Sequence, residues 1–444
     1  MLQLVFAVIL ASTRPLPNAA LAERMIHGPE LIGIVHWGLN TYTDREWGYG
    51  DENPQWLNPK NFDAEQIVNA CKAGGIGGLV IVAKHHDGFC LWPTKTTEHN
   101  ITKSPFRNGK GDYVREMERA CRKAGIKFGV YVSPWDRNSS VYATDKYVKL
   151  YHEQLKELLG GAYGEVFEMW FDGANGGDGY YGGAREKRKI GEHYYRFDEI
   201  FKFIRAFQPK VCFFSGEPTA EFRWPGNERG ILDVECRATS PDEKKLNYKQ
   251  WAHCGVHEGV AFKVPEADFP MRPGWFYHAK EDGKTKNSAY LMQRYLNTVG
   301  NGGTMDLGIA PNKDGVLTEE DVKVLKGLGD FIKIFFAKEV KGEEPFNLVV
   351  MREDFRKGEL VDEWEFLADG QAVLKGKSIG TKRIRVLDAP IKAKKCELKV
   401  LKSAGKAKTA FKRYYVDPEL VKLVMSATTT SGETDTAIWM TKGN

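Results

Sequence analysis

Short apolar runs alternate with longer amphipathic stretches from about residue 31 to residue 310. This alternation is typical of β-strands and α-helices that follow each other in a parallel sheet. Seven of the apolar runs are predicted to be strands: residues 31–38, 77–89, 126–136, 166–173, 210–218, 230–238 and 303–311. Helical periodicity occupies four stretches between them, at residues 63–75, 112–125, 147–161 and 196–209. The number of repeats over some 300 residues favours a TIM-like (β/α)8 barrel over an open sheet.

The pattern changes near residue 340 to short segments of alternating polarity, separated by Gly, Asp and Pro. The predicted strands here are residues 347–355, 362–370, 382–389 and 396–403. Such spacing is typical of an antiparallel β-sandwich, here of about 100 residues. We therefore expect a barrel domain over residues 1–340 and a C-terminal β-sandwich over residues 341–444.

Composition excludes several classes of function. The 64 basic and 59 acidic residues leave a net charge of only +5, so the chain has no large field toward nucleic acid. Its seven cysteines are scattered without a C-x-x-C pair, which argues against a zinc or redox motif. No apolar run approaches the roughly 20 residues that a membrane span needs.

The N-terminal apolar run at residues 4–11 is followed by Ala-Leu-Ala at residues 20–22, an arrangement that resembles a signal peptide with its cleavage site. However, no Lys or Arg precedes the run, and Thr-Arg-Pro-Leu-Pro separates it from the small residues. We therefore expect no convincing signal peptide in this chain.

Polar side chains follow several predicted strands at their carboxyl ends. His36 ends the first strand, and the adjacent His85 and His86 end the second. Tyr131 lies in the third strand, and Asp172 ends the fourth. Because the carboxyl ends of the strands in a parallel barrel meet at one face, these side chains are predicted to converge on one site.

Asp172 is the strongest candidate for a catalytic group, because it follows an apolar strand at the point where the backbone turns into Gly-Ala-Asn-Gly. An Asp before Gly is often only a turn residue. Hydrolysis of a glycosidic bond with retention needs a second carboxyl group about 5 Å away. Glu217, Glu221 and Glu228, in the loop that follows the fifth strand, are the candidates. That loop also carries Arg223 and Trp224, which are residue types suited to lining a pocket.

His85 and His86 also allow a metal hypothesis. Neighbouring residues on a strand point to opposite faces, so they rarely ligate one ion, and no third ligand is evident. We therefore predict no metal site and interpret the histidines as hydrogen-bonding groups for sugar hydroxyls. A metal-dependent hydrolase remains an alternative.

Several sequence blocks together resemble the alpha-L-fucosidases of glycoside hydrolase family twenty-nine. The matching blocks are residues 35–42, 43–48, 84–93, 170–176, 272–278 and 310–315. Among these, KHHDGF and WFDG in this order are the most specific. The resemblance runs from about residue 15 to the sandwich.

The resemblance implies that Asp172 is the nucleophile. The pattern RWPGNERG is similar to the subfamily that cleaves α-1,3- and α-1,4-linked fucose, which implies Glu228 as the acid/base. Residues 215–221 depart from the usual loop, so Glu217 remains a rival. The implied contacts of the sugar are His36, Glu46, Trp47, His85, His86 and Tyr131. Trp170, Arg223, Trp224 and Trp275 are expected to line the same pocket.

Together these observations predict a retaining exo-alpha-L-fucosidase that acts on fucosylated oligosaccharides or glycoconjugates and needs no cofactor. The family implies a periplasmic or secreted location, and the sequence indicates no particular oligomeric state. Two alternatives remain open at this point. One is a retaining glycosidase for another neutral sugar, and the other is a glycan-binding protein without activity.

Overall fold

Eight parallel strands close into a barrel in the part of the chain that the computed structural model describes, residues 14–243 and 245–428. The strands lie around the barrel in the order in which they occur along the chain. We number them β1 (Leu31–Val35), β2 (Gly78–Lys84), β3 (Lys127–Val132), β4 (Glu168–Trp170), β5 (Cys212–Phe214), β6 (Phe222–Arg223), β7 (Val264–Pro270) and β8 (Thr304–Ile309). The predicted barrel is confirmed.

The barrel strands are buried along almost their whole length, because helices cover one face and the barrel interior covers the other. All four predicted helices are present, and their N-caps follow from sequence. Asp63 and Asp112 accept backbone N–H groups of the first turn, and Gly125 ends the second helix in the left-handed region at φ 73°. The helices are Ala19–His27, Leu39–Thr43, Ala64–Ala73, Tyr113–Ala124, Asp145–Leu159, Phe197–Phe207, Tyr248–Trp251, Ser288–Thr298, Glu319–Phe335 and Pro418–Met425.

The predicted strand at residues 230–238 is wrong. This segment is a loop, and its apolar residues Leu232 and Cys236 pack on Ala267 of β7. The sixth and seventh barrel strands are β6 and β7 instead. The two residues of β6 are too few for a periodicity, and the Pro, Glu and Asp residues of β7 disguise a fully buried strand.

Two antiparallel sheets follow the barrel, as the alternating segments predicted. The first contains β9 (Glu339–Val340), β10 (Phe346–Glu353), β13 (Arg383–Ile391) and β15 (Thr409–Tyr414), and the second contains β11 (Val361–Ala368), β12 (Gln371–Gly376) and β14 (Cys396–Ser403). Their facing side chains form one apolar cluster, in which the rings of Phe366 and Phe411 lie 5.0 Å apart. The proposed division of the chain at residue 340 stays a prediction.

The N-terminal prediction falls partly outside the described residues, because residues 4–11 lie before residue 14. Residues 20–22 belong to the helix Ala19–His27. The guanidinium of Arg24 in this helix lies 3.4 Å from the carboxylate of Glu168, inside the barrel. In the described ranges, none of the helices has the length and apolar character for a membrane span.

Candidate active site

A cavity of about 490 Å³ opens at the carboxyl ends of the barrel strands, where barrel enzymes carry their active sites. The cavity collects residues that are far apart in the sequence. All but one of the predicted site residues line it: His36, Glu46, Trp47, His85, His86, Tyr131, Trp170, Asp172, Trp224, Glu228 and Trp275. The spatial convergence expected from the strand ends is therefore present.

Asp172 is held at the cavity by two hydrogen bonds. The Tyr131 hydroxyl donates to its Oδ2 at 3.0 Å, and the backbone N–H of Ala174 donates to its Oδ1 at 2.6 Å. Nε2 of His86 lies 3.8 Å from Oδ2. With 27% of its side chain exposed, Asp172 is both oriented by hydrogen bonds and open to the cavity. This combination suits a nucleophile.

The three histidines of the cavity are uncharged at neutral pH. Burial lowers the pKa of His36 to about 3 and lowers the pKa of His85 well below its ordinary value. Burial also lowers the pKa of His86, and the charge of Asp172 only partly opposes this. Neutral imidazoles can each donate one hydrogen bond and accept another, which suits the recognition of hydroxyl groups.

The tautomer of His86 follows from its partners. The Ser133 hydroxyl donates its hydrogen to the carbonyl oxygen of Trp135 at 2.8 Å, so its oxygen accepts from Nδ1–H of His86 at 2.7 Å. In a neutral ring this leaves Nε2 as the acceptor. His86 therefore presents a lone pair toward Asp172 and the cavity, where a sugar hydroxyl could donate to it.

The prediction that His85 and His86 point to opposite faces of a strand is wrong. The prediction placed both in a strand that extends to residue 89, but β2 ends at Lys84 and the pair lies in the following turn. Their rings are 4.1 Å apart, and both line the cavity. Within residues 14–243 and 245–428, no group of three or more His, Cys, Asp or Glu residues is arranged to hold a metal ion.

Aromatic rings form much of the cavity wall. Trp170 stacks on Phe214 with ring centroids 3.8 Å apart, and its indole N–H donates to Glu266 in the barrel core at 3.1 Å. Trp47 is 54% exposed and meets His86 edge to face. An exposed ring beside neutral imidazoles provides the mixed apolar and polar surface that sugars need.

Of the three candidate acids, only Glu228 lines the cavity. It lies at the cavity rim, and the indole N–H of Trp275 donates to its Oε2 at 3.3 Å. Partial burial, together with the charges of Asp172 and Glu46, raises the pKa of Glu228 above its ordinary value. A raised pKa favours the protonated form that a general acid requires.

The other two glutamates lie outside the cavity. Glu221 is buried, pairs with Arg205 and accepts the backbone N–H of Phe213 at 2.8 Å, which is a structural role. Burial also raises the pKa of Glu217, so the direction of this shift does not separate it from Glu228. Their positions do separate the two residues, because only Glu228 lines the cavity.

Arg223 corrects a prediction, because it does not line the cavity. It is fully buried, and its guanidinium donates to the backbone carbonyls of Ala252 at 2.9 Å, Arg237 at 2.7 Å and Lys263. These bonds occupy the donors that a sugar would use. Arg223 therefore fixes the loops behind the cavity.

Glu46 joins two loops at the cavity. Its Oε2 accepts the backbone N–H of Trp275 at 2.8 Å, while its Oε1 accepts that of Phe276 at 3.2 Å. Oε1 also lies 2.6 Å from Nε2 of His278. Glu46 thus positions the ring of Trp275 in addition to lining the cavity.

Among the polar side chains that line the cavity, two were missed from the sequence, Tyr248 and Asp268. Tyr248 lies in a four-residue helix, too short to be recognised, and its hydroxyl donates to the carbonyl of Trp224. Asp268 lies in β7, the strand that the sequence analysis overlooked. Its signal was the alternation of Glu266 and Asp268 with apolar residues, which places both carboxyl groups on one side of the strand.

The barrel thus holds two acidic side chains and several neutral histidines at the C-terminal ends of its parallel strands. This is the arrangement of a barrel glycosidase. A sequence profile of the family described as Alpha-L-fucosidase matches residues 21–336. This match covers more than half of the chain, which therefore belongs to the alpha-L-fucosidase family.

Known proteins resemble the chain in sequence and in structure. Alpha-L-fucosidase 1 of Arabidopsis thaliana is 36% identical over 344 residues, which are 77% of this chain and 65% of that protein. Tissue alpha-L-fucosidase of Rattus norvegicus is 23% identical, over 65% of this chain and 57% of that protein. The chain thus spans less than two thirds of the length of these relatives.

Two solved structures extend the comparison over almost the whole chain. A glycoside hydrolase 29 family member from an unknown rumen bacterium has a TM-score of 0.85 at 34% identity, covering 91% of this chain and 78% of that one. A fucosidase of the same family from Ruminococcus gnavus, in complex with fucose, has a TM-score of 0.79 at 25% identity, covering 91% and 96%.

Proposed function

We propose that this protein is a retaining exo-alpha-L-fucosidase that removes terminal α-1,3- or α-1,4-linked fucose from glycans without a cofactor. The position of Asp172 carries the proposal: it is oriented by Tyr131 and Ala174 and open to a cavity that Glu228 also lines. Membership of the alpha-L-fucosidase family and the fucose complex of the Ruminococcus gnavus protein support fucose as the sugar.

The reaction has two displacements. In the first, a carboxylate oxygen of Asp172 forms a bond to the anomeric carbon, the glycosidic carbon–oxygen bond breaks, and Glu228 gives its proton to the departing oxygen. In the second, Glu228 takes a proton from water, the water oxygen bonds to the anomeric carbon, and the Asp172 carboxylate leaves. Two inversions give fucose with its original configuration.

The neutral side chains of the cavity have defined parts in this scheme. Nε2 of His86 is an acceptor for a sugar hydroxyl, and His36 has a buried Nδ1 without a protein partner in the described residues. The exposed ring of Trp47 provides an apolar surface for the methyl group that distinguishes fucose from galactose. Because these side chains carry no charge, they suit a sugar that is itself uncharged.

The decisive experiment uses proton NMR to identify the sugar, and its anomer, that is released first from an aryl fucoside. We expect α-L-fucose to appear first and Asp172→Ala to lower kcat by more than about 10³-fold, because the covalent step is lost. Asp145→Ala, which removes an exposed carboxylate on the outer surface, is the matched control and should retain activity.

Three results would contradict the proposal. Initial release of the β anomer would exclude retention, and turnover of aryl galactosides without turnover of fucosides would change the substrate. Binding of fucose with no turnover by the wild type would indicate a glycan-binding protein. Oligosaccharides with α-1,2, α-1,3 and α-1,4 fucose, compared by kcat/KM, test the linkage.

A further inference from the structure

Asp268 is a cavity residue to which the proposed reaction gives no part. It lies on β7, is 3% exposed and lines the cavity together with Asp172 and Glu228. Its Oδ1 has no hydrogen-bond partner among the described residues. A buried carboxyl with an unpartnered oxygen is costly to keep, so its presence in the cavity calls for a function.

The surroundings of Asp268 show its chemical state and its neighbour. Burial raises its pKa well above the ordinary value, and the charges of Glu228 and Asp172 raise it further. Asp268 and Trp224 line the same cavity, and hydrogen bonding from the Trp224 indole to the Asp268 carboxyl group partly opposes this rise. The raised pKa favours the uncharged acid, a form that can accept from the indole and still hold a proton of its own.

Trp224 links this acid to Glu228. The two residues lie on the same short segment, residues 224–228, which follows β6. The carbonyl of Trp224 accepts from the Tyr248 hydroxyl, and the indole of Trp275 holds the carboxylate end of Glu228. Asp268 thus connects β7 to the start of the segment that carries Glu228.

We propose that Asp268 is a positioning residue that holds Trp224 and, through residues 224–228, sets Glu228 against the glycosidic oxygen. This inference rests on the proposed function, because it requires Glu228 to be the acid. A group that acts through the acid matters most when the leaving group needs a proton. Its loss should therefore affect sugar leaving groups more than acidic phenols.

The test measures kcat/KM on two substrates, a fucosylated oligosaccharide and 2-chloro-4-nitrophenyl α-L-fucoside, whose phenolate leaves with little protonation. For Asp268→Ala we expect kcat/KM to fall about 50-fold with the oligosaccharide and less than about 5-fold with the aryl fucoside. The larger of these losses is a fraction of what general acid catalysis contributes in full. Asp268→Asn, which has the shape of the uncharged acid, should recover most of the lost activity.

The matched control is Asp306→Ala. Asp306 is the strand partner of Asp268 on β8 and equally buried, but it does not line the cavity. The Asp306→Ala variant should lower kcat/KM on both substrates by the same factor. Should Asp268→Ala fail to fold, Trp224→Phe removes the indole N–H from the other side and should give the same dependence on the leaving group.

Equal losses on both substrates for Asp268→Ala, or for Trp224→Phe in its place, would overturn the inference and leave Asp268 a structural residue. The same holds if Asp268→Asn restores nothing or if Asp306→Ala reproduces the selective loss. Failure of the proposed function has another signature: wild-type protein that cleaves neither fucoside, or full activity in Asp172→Ala.

Discussion

At the scale of single residues, the two carboxyl groups proposed for the reaction, those of Asp172 and Glu228, differ in their surroundings. Asp172 accepts hydrogen bonds from Tyr131 and from the backbone, which fix the orientation of its carboxylate. Glu228 accepts only the Trp275 indole among the described residues, and partial burial together with the neighbouring charges of Asp172 and Glu46 raises its pKa. Two acids in one cavity can therefore take different parts in the proposed reaction.

The choice between Glu228 and Glu217 can be tested by pH. Glu228 must be protonated in the first step, so kcat/KM of the wild type should fall as pH rises through the raised pKa of this residue. Glu228→Gln cannot lose a proton. With an aryl fucoside as substrate it should lose this alkaline limb, and with an oligosaccharide it should be about 10² to 10⁴-fold slower.

Glu217→Gln is the matched control, since the pKa of Glu217 is also raised but its side chain lies outside the cavity. It should keep both the limb and the rate. A profile altered by Glu217→Gln and left unchanged by Glu228→Gln would reverse the assignment of the acid/base.

At the scale of elements, the loops after β1 and β7 are joined by ionisable groups. Nδ1 of His278 lies 2.5 Å from Asp44, and its Nε2 lies 2.6 Å from Glu46, which in turn accepts the backbone N–H of Trp275. Burial lowers the pKa of His278, but hydrogen bonds to the two carboxylates raise it overall. The imidazole of His278 thus ties the Trp275 loop to the loop after β1, most strongly when it is protonated.

This contact predicts a second pH effect. The folded pKa of His278 lies above its ordinary value, so the stabilisation is complete below about pH 6.5 and is lost as pH rises through the folded pKa. His278→Ala should lack this dependence and should lower kcat/KM about 10-fold or more, because Glu46 and Trp275 lose a support.

Trp fluorescence of the loop and kcat/KM, measured together from pH 5 to 9, give the readout. His152→Ala is the control, since His152 stacks on Phe203 away from the cavity. A His278→Ala variant with wild-type kcat/KM at all pH values would show that the contact has no role in the site.

The sequence predicted the elements in which periodicity and chemistry agree. Strands β1 to β4 are apolar runs that end in polar residues, so both the barrel and its convergent site could be read from them. Strand β7 could not, because Glu266 and Asp268 face the barrel interior, where a sequence pattern predicts apolar side chains. Arg223 was wrongly predicted to line the cavity, because a polar residue close to a site in the sequence was expected to face that site.

At the scale of the whole molecule, the C-terminal sheets support the loops behind the cavity. Arg383 on β13 is fully buried and donates to the carbonyls of Val234 at 2.9 Å and Cys236 at 2.8 Å, in the long loop between β6 and β7. Arg237 of that loop donates to the carbonyl of Val361 at 3.2 Å. We therefore infer that the barrel and the sandwich unfold together.

Arg383→Met tests this coupling. It should lower the free energy of unfolding by about 3 kcal/mol, because several buried carbonyls lose a charged donor. Arg356→Met, which removes an exposed guanidinium paired with Asp354 on the same domain, should leave the free energy of unfolding nearly unchanged. Urea unfolding, followed by circular dichroism and by loss of the proposed fucosidase activity, measures the effect of both variants. Because residues 224–263 carry Glu228 and are held by Arg383, the two probes should report one shared midpoint, and separate midpoints in the wild type would show that the sandwich unfolds independently of the site.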